Sequence, residues 1–280
     1  MRTAGRLASG LLEASGPIGY SLPLSPHGLS SMLTPPPWHF AGEVIMVDVR
    51  VDPDRARRFL PDELSLGSDP GAAAFVFAEW NWCSEDGAEL TEPRSSRFAE
   101  FLVLLGCEFE GRALARCPYA WVDQPVPMIR GWVQGMPKQF GEIDQTRPKL
   151  VGRAGPRPDD AGRHHASISV GGHRLVDLSV ATDGTTVAPP ALHNVPLVHT
   201  HMSPVWLNGE PDNRSLITSE VTGVEFSPVY SGSAQVKVHQ TLDDDFALLQ
   251  PIDIGSGYVF QYAETLVGGQ ALTSTTTRGA

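Results

Sequence analysis

Only three of the chain's 21 basic residues are lysines: Lys138, Lys149 and Lys237. Lys138 stands in GMPKQFG, residues 135–141, flanked by Met136 and Phe140 and close to Trp132. A lysine in an apolar wall loses the hydration that favours its ammonium form, and a neutral amine becomes available. Such an amine adds to a ketone or aldehyde to give a Schiff base, which arginine, always protonated, cannot do. The alternative is a solvated lysine ending a helix. Glu100 and Glu79 are lone acids in otherwise apolar runs. Two-residue alternation puts Glu100 on a face with Phe98, Leu102 and Leu104, where a carboxylate is costly unless paired or protonated. A desolvated carboxyl of that kind can serve as general acid or base. Glu79 shares its face with Phe75, Phe77 and Asn81, and reads equally well as facing in or out.

His199-Thr200-His201 raises a metal hypothesis, since histidines at i and i+2 of a strand share a face and His193 could add a third ligand. No acid follows at a telling distance, and the reading favoured is no metal. His164-His165 sits at a strand start and reads as surface. Cys83, Cys107 and Cys117 are odd in number, make no CxxC pair, and read as free thiols of a reducing compartment. There is no GxSxG, no Walker loop and no GxGxxG opening a helix, so no cofactor is expected.

These residues need strands to hold them. EVIMVDVRV (43–51), AAFVFAEWNWC (73–83), RFAEFLVLLGCEF (97–109) and ALARCPYAWVD (113–123) each read as a strand. Asp52 and Pro53 open a short helix that Pro61 ends. MIRGWVQGM (128–136) reads as another short helix. HHASISV and HRLVDLSVA flank Gly171-Gly172 as a hairpin, and SLITSEVTGVEF and SAQVKVHQTL read as two more strands. Together with 24 prolines and 28 glycines, this gives a mostly β, α+β fold with a few short helices. Residues 1–36, rich in Pro and Ser, read as an N-terminal arm. Residues 37–270 read as the catalytic domain and 271–280 as a frayed tail. A net charge of −11 argues against a nucleic-acid partner. No run long enough for a signal peptide or membrane span is found, so a soluble, cytoplasmic protein without a membrane partner is expected.

With those residues in view, the chain resembles the acetoacetate decarboxylase superfamily from about Pro37 to Tyr262. The most specific stretch is residues 98–141. It holds a glutamate-bearing strand, Phe109-Glu110-Gly111, then Trp121-Val122-Asp123, then a helix into Pro137-Lys138-x-x-Gly141. The resemblance implies a cone-shaped double β-barrel forming a homo-oligomer. It implies Lys138 as the Schiff-base lysine, Glu100 as an active-site glutamate and Glu79 as a second one. Two positions depart from the decarboxylases: Gln139 replaces a second lysine, and Glu43 stands where a first-strand arginine is carried. Losing both cations favours proton transfer over decarboxylation. The expectation is a lyase that uses a Schiff base for aldol addition and dehydration, or cyclisation, of a small oxo acid or ketone in a natural-product pathway. Gln139, Trp132, Met136 and Phe140 are the expected substrate contacts. The alternatives are a β-keto acid decarboxylase and a barrel that binds a small molecule without turning it over.

Overall fold

The computed structural model describes residues 16–149, 151–204, 206, 213–239 and 243–272. The frayed tail expected at 271–280 lies outside the described residues from 273 onward, as does the arm up to residue 15. The chain divides into two compact units, Met1–Pro35 and Pro36–Ala280. In the first, Ile18 and Ser25 exchange backbone hydrogen bonds of 2.9 and 3.0 Å.

The second unit is built of strands. In chain order they are β1 (Trp38–Arg50), β2 (Ser65–Leu66), β3 (Ala72–Ser84), β4 (Arg97–Phe109), β5 (Arg112–Val122), β6 (Lys138–Phe140) and β7 (Glu142–Gln145). They continue as β8 (Arg163–Val170), β9 (His173–Val187), β10 (Leu197–Ser203), β11 (Asn213–Phe226), β12 (Val229–Val238) and β13 (Asp253–Ala271). The helices are α1 (Pro53–Arg57), α2 (Pro93–Ser96) and α3 (Pro125–Val133). None among the described residues is long and apolar enough to cross a membrane.

Strand order β1-β3-β4-β5-β10-β11-β13, with β1 also pairing β13, closes a ring. From β13 the sheet runs on through β12, β9, β8 and β7. Closure leaves the ring strands without open edges. The expected hairpins are present: Glu110 and Gly111 take positive φ between β4 and β5, as do Gly171 and Gly172 between β8 and β9. Asp52 caps α1 by accepting from the Arg55 amide, and Pro53 occupies its first turn.

The middles of β1, β3 and β4 are buried on both faces, so they read as unbroken apolar runs rather than clean alternations. Alternate residues feed two separate interiors. Phe75, Phe77, Phe101 and Val103 meet Trp121, Ile168 and Val180 on one side. Val76, Ala78, Phe98 and Leu102 meet Val44, Val122, Met136 and Phe260 on the other. Each fully buried aromatic or aliphatic side chain contributes about 1.5–3 kcal/mol of transfer free energy. The result is the mostly β, α+β double-barrel arrangement expected. One sequence reading fails here: His164 is fully buried rather than at the surface, because the first residues of β8 alternate and Arg163 and His165 face outward while His164 faces in.

Candidate active site

Lys138 is placed by the end of a helix. At the C-terminus of α3, Gly135 takes φ 77°, its amide donates to the Trp132 carbonyl, and the Met136 amide donates to the Gly131 carbonyl. That pair of bonds is the Schellman ending, which calls for a left-handed residue. A side chain at Gly135 would also fall 2.8 Å from the His201 backbone. Pro137 then cannot continue the helix, and the chain runs into β6, where Lys138 pairs with Ala120 of β5. The Trp132 indole N–H donates to the Lys138 carbonyl at 2.7 Å.

The lysine side chain then turns inward. Its Nζ is 2.7 Å from Glu100 Oε1, and both side chains are almost wholly buried, at 5 and 6 % exposure. Glu100 Oε2 accepts from the Trp80 indole N–H at 2.9 Å. The alkyl stem of Lys138 lies against α3 at Gly131. A Cβ there would fall 2.4 Å from Lys138 Cδ and 2.6 Å from Cγ. Lys138 and Glu100 line a largely apolar cavity of about 230 Å³ with Phe98, Leu102, Leu104 and Met136.

Three more side chains of its lining bear on its chemistry: Arg130 and Glu264, which were not singled out from the sequence, and His193, which was weighed there only as a third metal ligand. Arg130, on α3, is 1 % exposed, with its guanidinium over the rings of Trp82 at 4.3 Å and Phe40 at 4.7 Å. Among the described residues neither Nη of Arg130 has a hydrogen-bond partner. Burial pulls it down to about 9, opposed by Glu100, so it stays cationic at neutral pH. Glu264, on β13, accepts from the Tyr262 hydroxyl at 2.7 Å. Burial raises its carboxyl above the usual range, the Tyr262 bond works against that, Glu100 adds to it and Lys138 opposes it. His193 packs edge-on against Tyr262, with centroids 4.6 Å apart, and burial lowers it to about 4, leaving a neutral imidazole. Glu264 obeyed the same rule that found Glu100: it alternates with Phe260, Tyr262 and Leu266 on one face of β13.

The expected site residues are not all brought together. Lys138, Glu100 and Met136 share the cavity. Glu79 does not join them: it is one residue out of phase with Ala78, which pairs with Glu100, and so it points to the opposite face of β3. There Arg147 grips it with two N–H groups, Nη2 to Oε1 at 2.9 Å and Nε to Oε2. Glu43 stands directly opposite Glu79 on β1; burial raises it and Glu79 adds to the rise. Gln139 and Phe140 are exposed and line no part of the cavity, and so is Trp132, 57 % exposed, which holds the lysine backbone instead. Gln139 follows Lys138 along a strand and is carried to its other side, so no substrate contact through it is supported. A different cation, Arg130, lines the cavity with Lys138. His199 is fully buried and His201 half-buried, and among the described residues no three His, Cys, Asp or Glu side chains gather as a metal site.

The family model described as acetoacetate decarboxylase matches residues 21–275. No curated protein matches the chain. Among solved structures, the enduracididine biosynthesis enzyme MppR complexed with the condensation product of pyruvate and imidazole 4-carboxaldehyde is 61 % identical. That match covers 93 % of this chain and 98 % of that one, with a TM-score of 0.90. MppR complexed with pyruvate is 60 % identical over 93 % of this chain and 100 % of that one, with a TM-score of 0.89. An acetoacetate decarboxylase-like enzyme from Sphingomonas wittichii RW1 is 20 % identical, over 92 % of this chain and 100 % of that one, and shares the fold with a TM-score of 0.82. The chain belongs to the acetoacetate decarboxylase family.

Proposed function

We propose that the chain is a Schiff-base enzyme that condenses a small 2-oxo acid with an aldehyde and then dehydrates the adduct. The observation that carries this is the Lys138–Glu100 pair, 2.7 Å apart, in an apolar cavity that also holds Arg130, whose two Nη groups have no hydrogen-bond partner among the described residues. A buried guanidinium with unsatisfied Nη groups is suited to a substrate carboxylate, which a 2-oxo acid supplies and a simple ketone does not. The Lys138 amine attacks the ketone carbon, and loss of water gives an iminium. Removal of a proton from the adjacent carbon puts the electron pair into the iminium as an enamine. The enamine carbon then attacks the aldehyde, whose oxygen takes a proton. A second deprotonation at the same carbon and departure of that oxygen as water leave a conjugated imine, and water releases the product from Lys138.

Glu100 touches the amine and serves as the proton carrier for imine formation and the adjacent carbon. Glu264, held towards its protonated form by burial, is the acid for the departing hydroxyl. Support for this substrate class comes from MppR, whose complexes contain pyruvate and a pyruvate–aldehyde condensation product. The natural-product setting is likewise proposed on that likeness, as is the lyase class.

The test is to incubate the protein with pyruvate, reduce with borohydride and map the adduct by mass spectrometry. Pyruvate with an aromatic aldehyde is then followed by the absorbance of the conjugated product. An adduct on Lys138, absent in Lys138→Ala, together with a conjugated product, supports the proposal. No adduct across a panel of oxo acids would sink it. Release of carbon dioxide from acetoacetate without any condensation would favour the decarboxylase reading instead.

A further inference from the structure

A second cavity, of about 280 Å³, lies between the β7–β8 connection and the body of the sheet. It shares no lining residue with the Lys138 cavity. Its apolar wall includes Ile45 of β1, Tyr230 of β12 and Val259 of β13. The connection is tied down by backbone hydrogen bonds from Thr146 to His165, from Lys149 to Pro156 and from Thr182 to Gly162.

Two side chains of its lining hold unsatisfied polar atoms among the described residues. Gln145 donates from its Nε2 to the Glu43 carbonyl at 3.0 Å, which fixes the amide, yet its buried Oε1 has no donor among the described residues. His164 is fully buried and neither ring nitrogen has a partner among the described residues. Burial lowers this histidine to about 4, so at neutral pH one nitrogen donates and the other accepts. Each such orphan carries the desolvation cost of an unmade hydrogen bond. A molecule that supplied the missing partners would recover part of that cost on binding. The charged lining is balanced: Lys149 and Arg157 supply two cations, Glu43 and Asp159 two acids.

Balanced charge beside an apolar wall and an orphan acceptor describes the complement of a zwitterion with an apolar tail. We propose that this second cavity binds a free amino acid of leucine size. The carboxylate goes to Lys149, Arg157 and the N–H of the neutral His164 imidazole. The ammonium goes to Gln145 Oε1 and the flanking acids, and the side chain lies against Ile45 and Val259. The site is independent of imine formation at Lys138.

The experiment is ligand-observed NMR and thermal shift with L-leucine and L-phenylalanine on the wild-type protein and on Lys138→Ala, His164→Leu and Arg157→Ala. N-acetyl-leucine and isoamylamine, each lacking one charge, are the controls. The expected result is binding by an amino acid to wild type and to Lys138→Ala alike. Affinity should be at least about tenfold weaker in His164→Leu and Arg157→Ala, and for either control compound. Arg157 is exposed, so its variant reports binding without a folding penalty. Absence of binding by both amino acids at about 10 mM would overturn the proposal, leaving a cavity filled only with water. Binding lost in Lys138→Ala but kept in His164→Leu would also overturn it, by placing the ligand in the other cavity. Equal binding of the singly charged controls would refute the zwitterion class.

Discussion

Gly131→Ala sets helix stability against the placement of one lysine. Gly131 lies inside α3, where alanine is better than glycine by about 1 kcal/mol. The added methyl would meet Lys138 Cδ at 2.4 Å, Cγ at 2.6 Å and Cε at 3.0 Å, all on one flexible stem. The stem has to move by more than an ångström, and that carries Nζ off Glu100. Separating a buried ion pair costs about 3–5 kcal/mol, which exceeds the helix gain and leaves the variant net less stable by about 2–4 kcal/mol. A displacement of about 1 Å at a reacting atom lowers rates by about 10²-fold, so borohydride trapping with pyruvate should slow by that order while far-UV circular dichroism is unchanged. The decisive assay is a double-mutant cycle on stability. With Lys138 already truncated to alanine, the same glycine change has nothing to strike and should stabilise by up to about 1 kcal/mol. Equal destabilisation in both backgrounds, or wild-type trapping by Gly131→Ala, would refute this account of the helix glycine.

Other outcomes follow from the same geometry. Glu100→Gln keeps an acceptor for Trp80 but removes the counter-charge of Lys138, so imine trapping should extend to lower pH while condensation slows by about 10²–10⁴-fold; an unmoved pH profile would deny Glu100 its part. Arg130→Met should raise KM for pyruvate about 10–100-fold and leave trapping of acetone unchanged, which a purely structural arginine would not do. His164 and His199 are fully buried and lowered to about 4 and about 3. The unfolded chain therefore binds protons that the folded one refuses, and stability, complete above about pH 6.5, is lost by a few kcal/mol for each histidine as pH falls toward 4. Urea midpoints at intervals across that range test it, and a flat profile would contradict it. Arg147→Ala should cost less than about 1 kcal/mol, because that arginine is 47 % exposed; a larger loss by urea titration would mean the pair counts for more than exposed pairs do.

The strands that carry Lys138's surroundings were readable as continuous apolar runs of strand length, the signature of strands buried on both faces. β4 gave up Glu100 through three apolar face-mates, and α1 showed its cap and its proline. β13 was not read, although it is the longest strand, because Gly255, Gly257, Gly268 and Gly269 and a polar middle hide its alternation. Glu264 was lost with it. Arg130 escaped notice because a single arginine in a short helix ordinarily reaches solvent; only the aromatic box around it, assembled from β1, β3 and β4, turns it inward. Glu79 and Gln139 failed for a smaller reason. Each is one residue out of phase with a residue that faces the cavity, and neighbourhood along a strand is not neighbourhood in space.

That phase relation has a practical consequence for altering the protein. Along β3 and β4, the even-numbered positions Trp80, Phe98, Glu100, Leu102 and Leu104 border the Lys138 cavity, while the odd-numbered Phe75, Phe77, Phe101 and Val103 fill the other interior. One backbone therefore carries two independent registers of information. Substrate scope can be rewritten in the even register, by mutation or by descent, while the odd register goes on specifying the same scaffold.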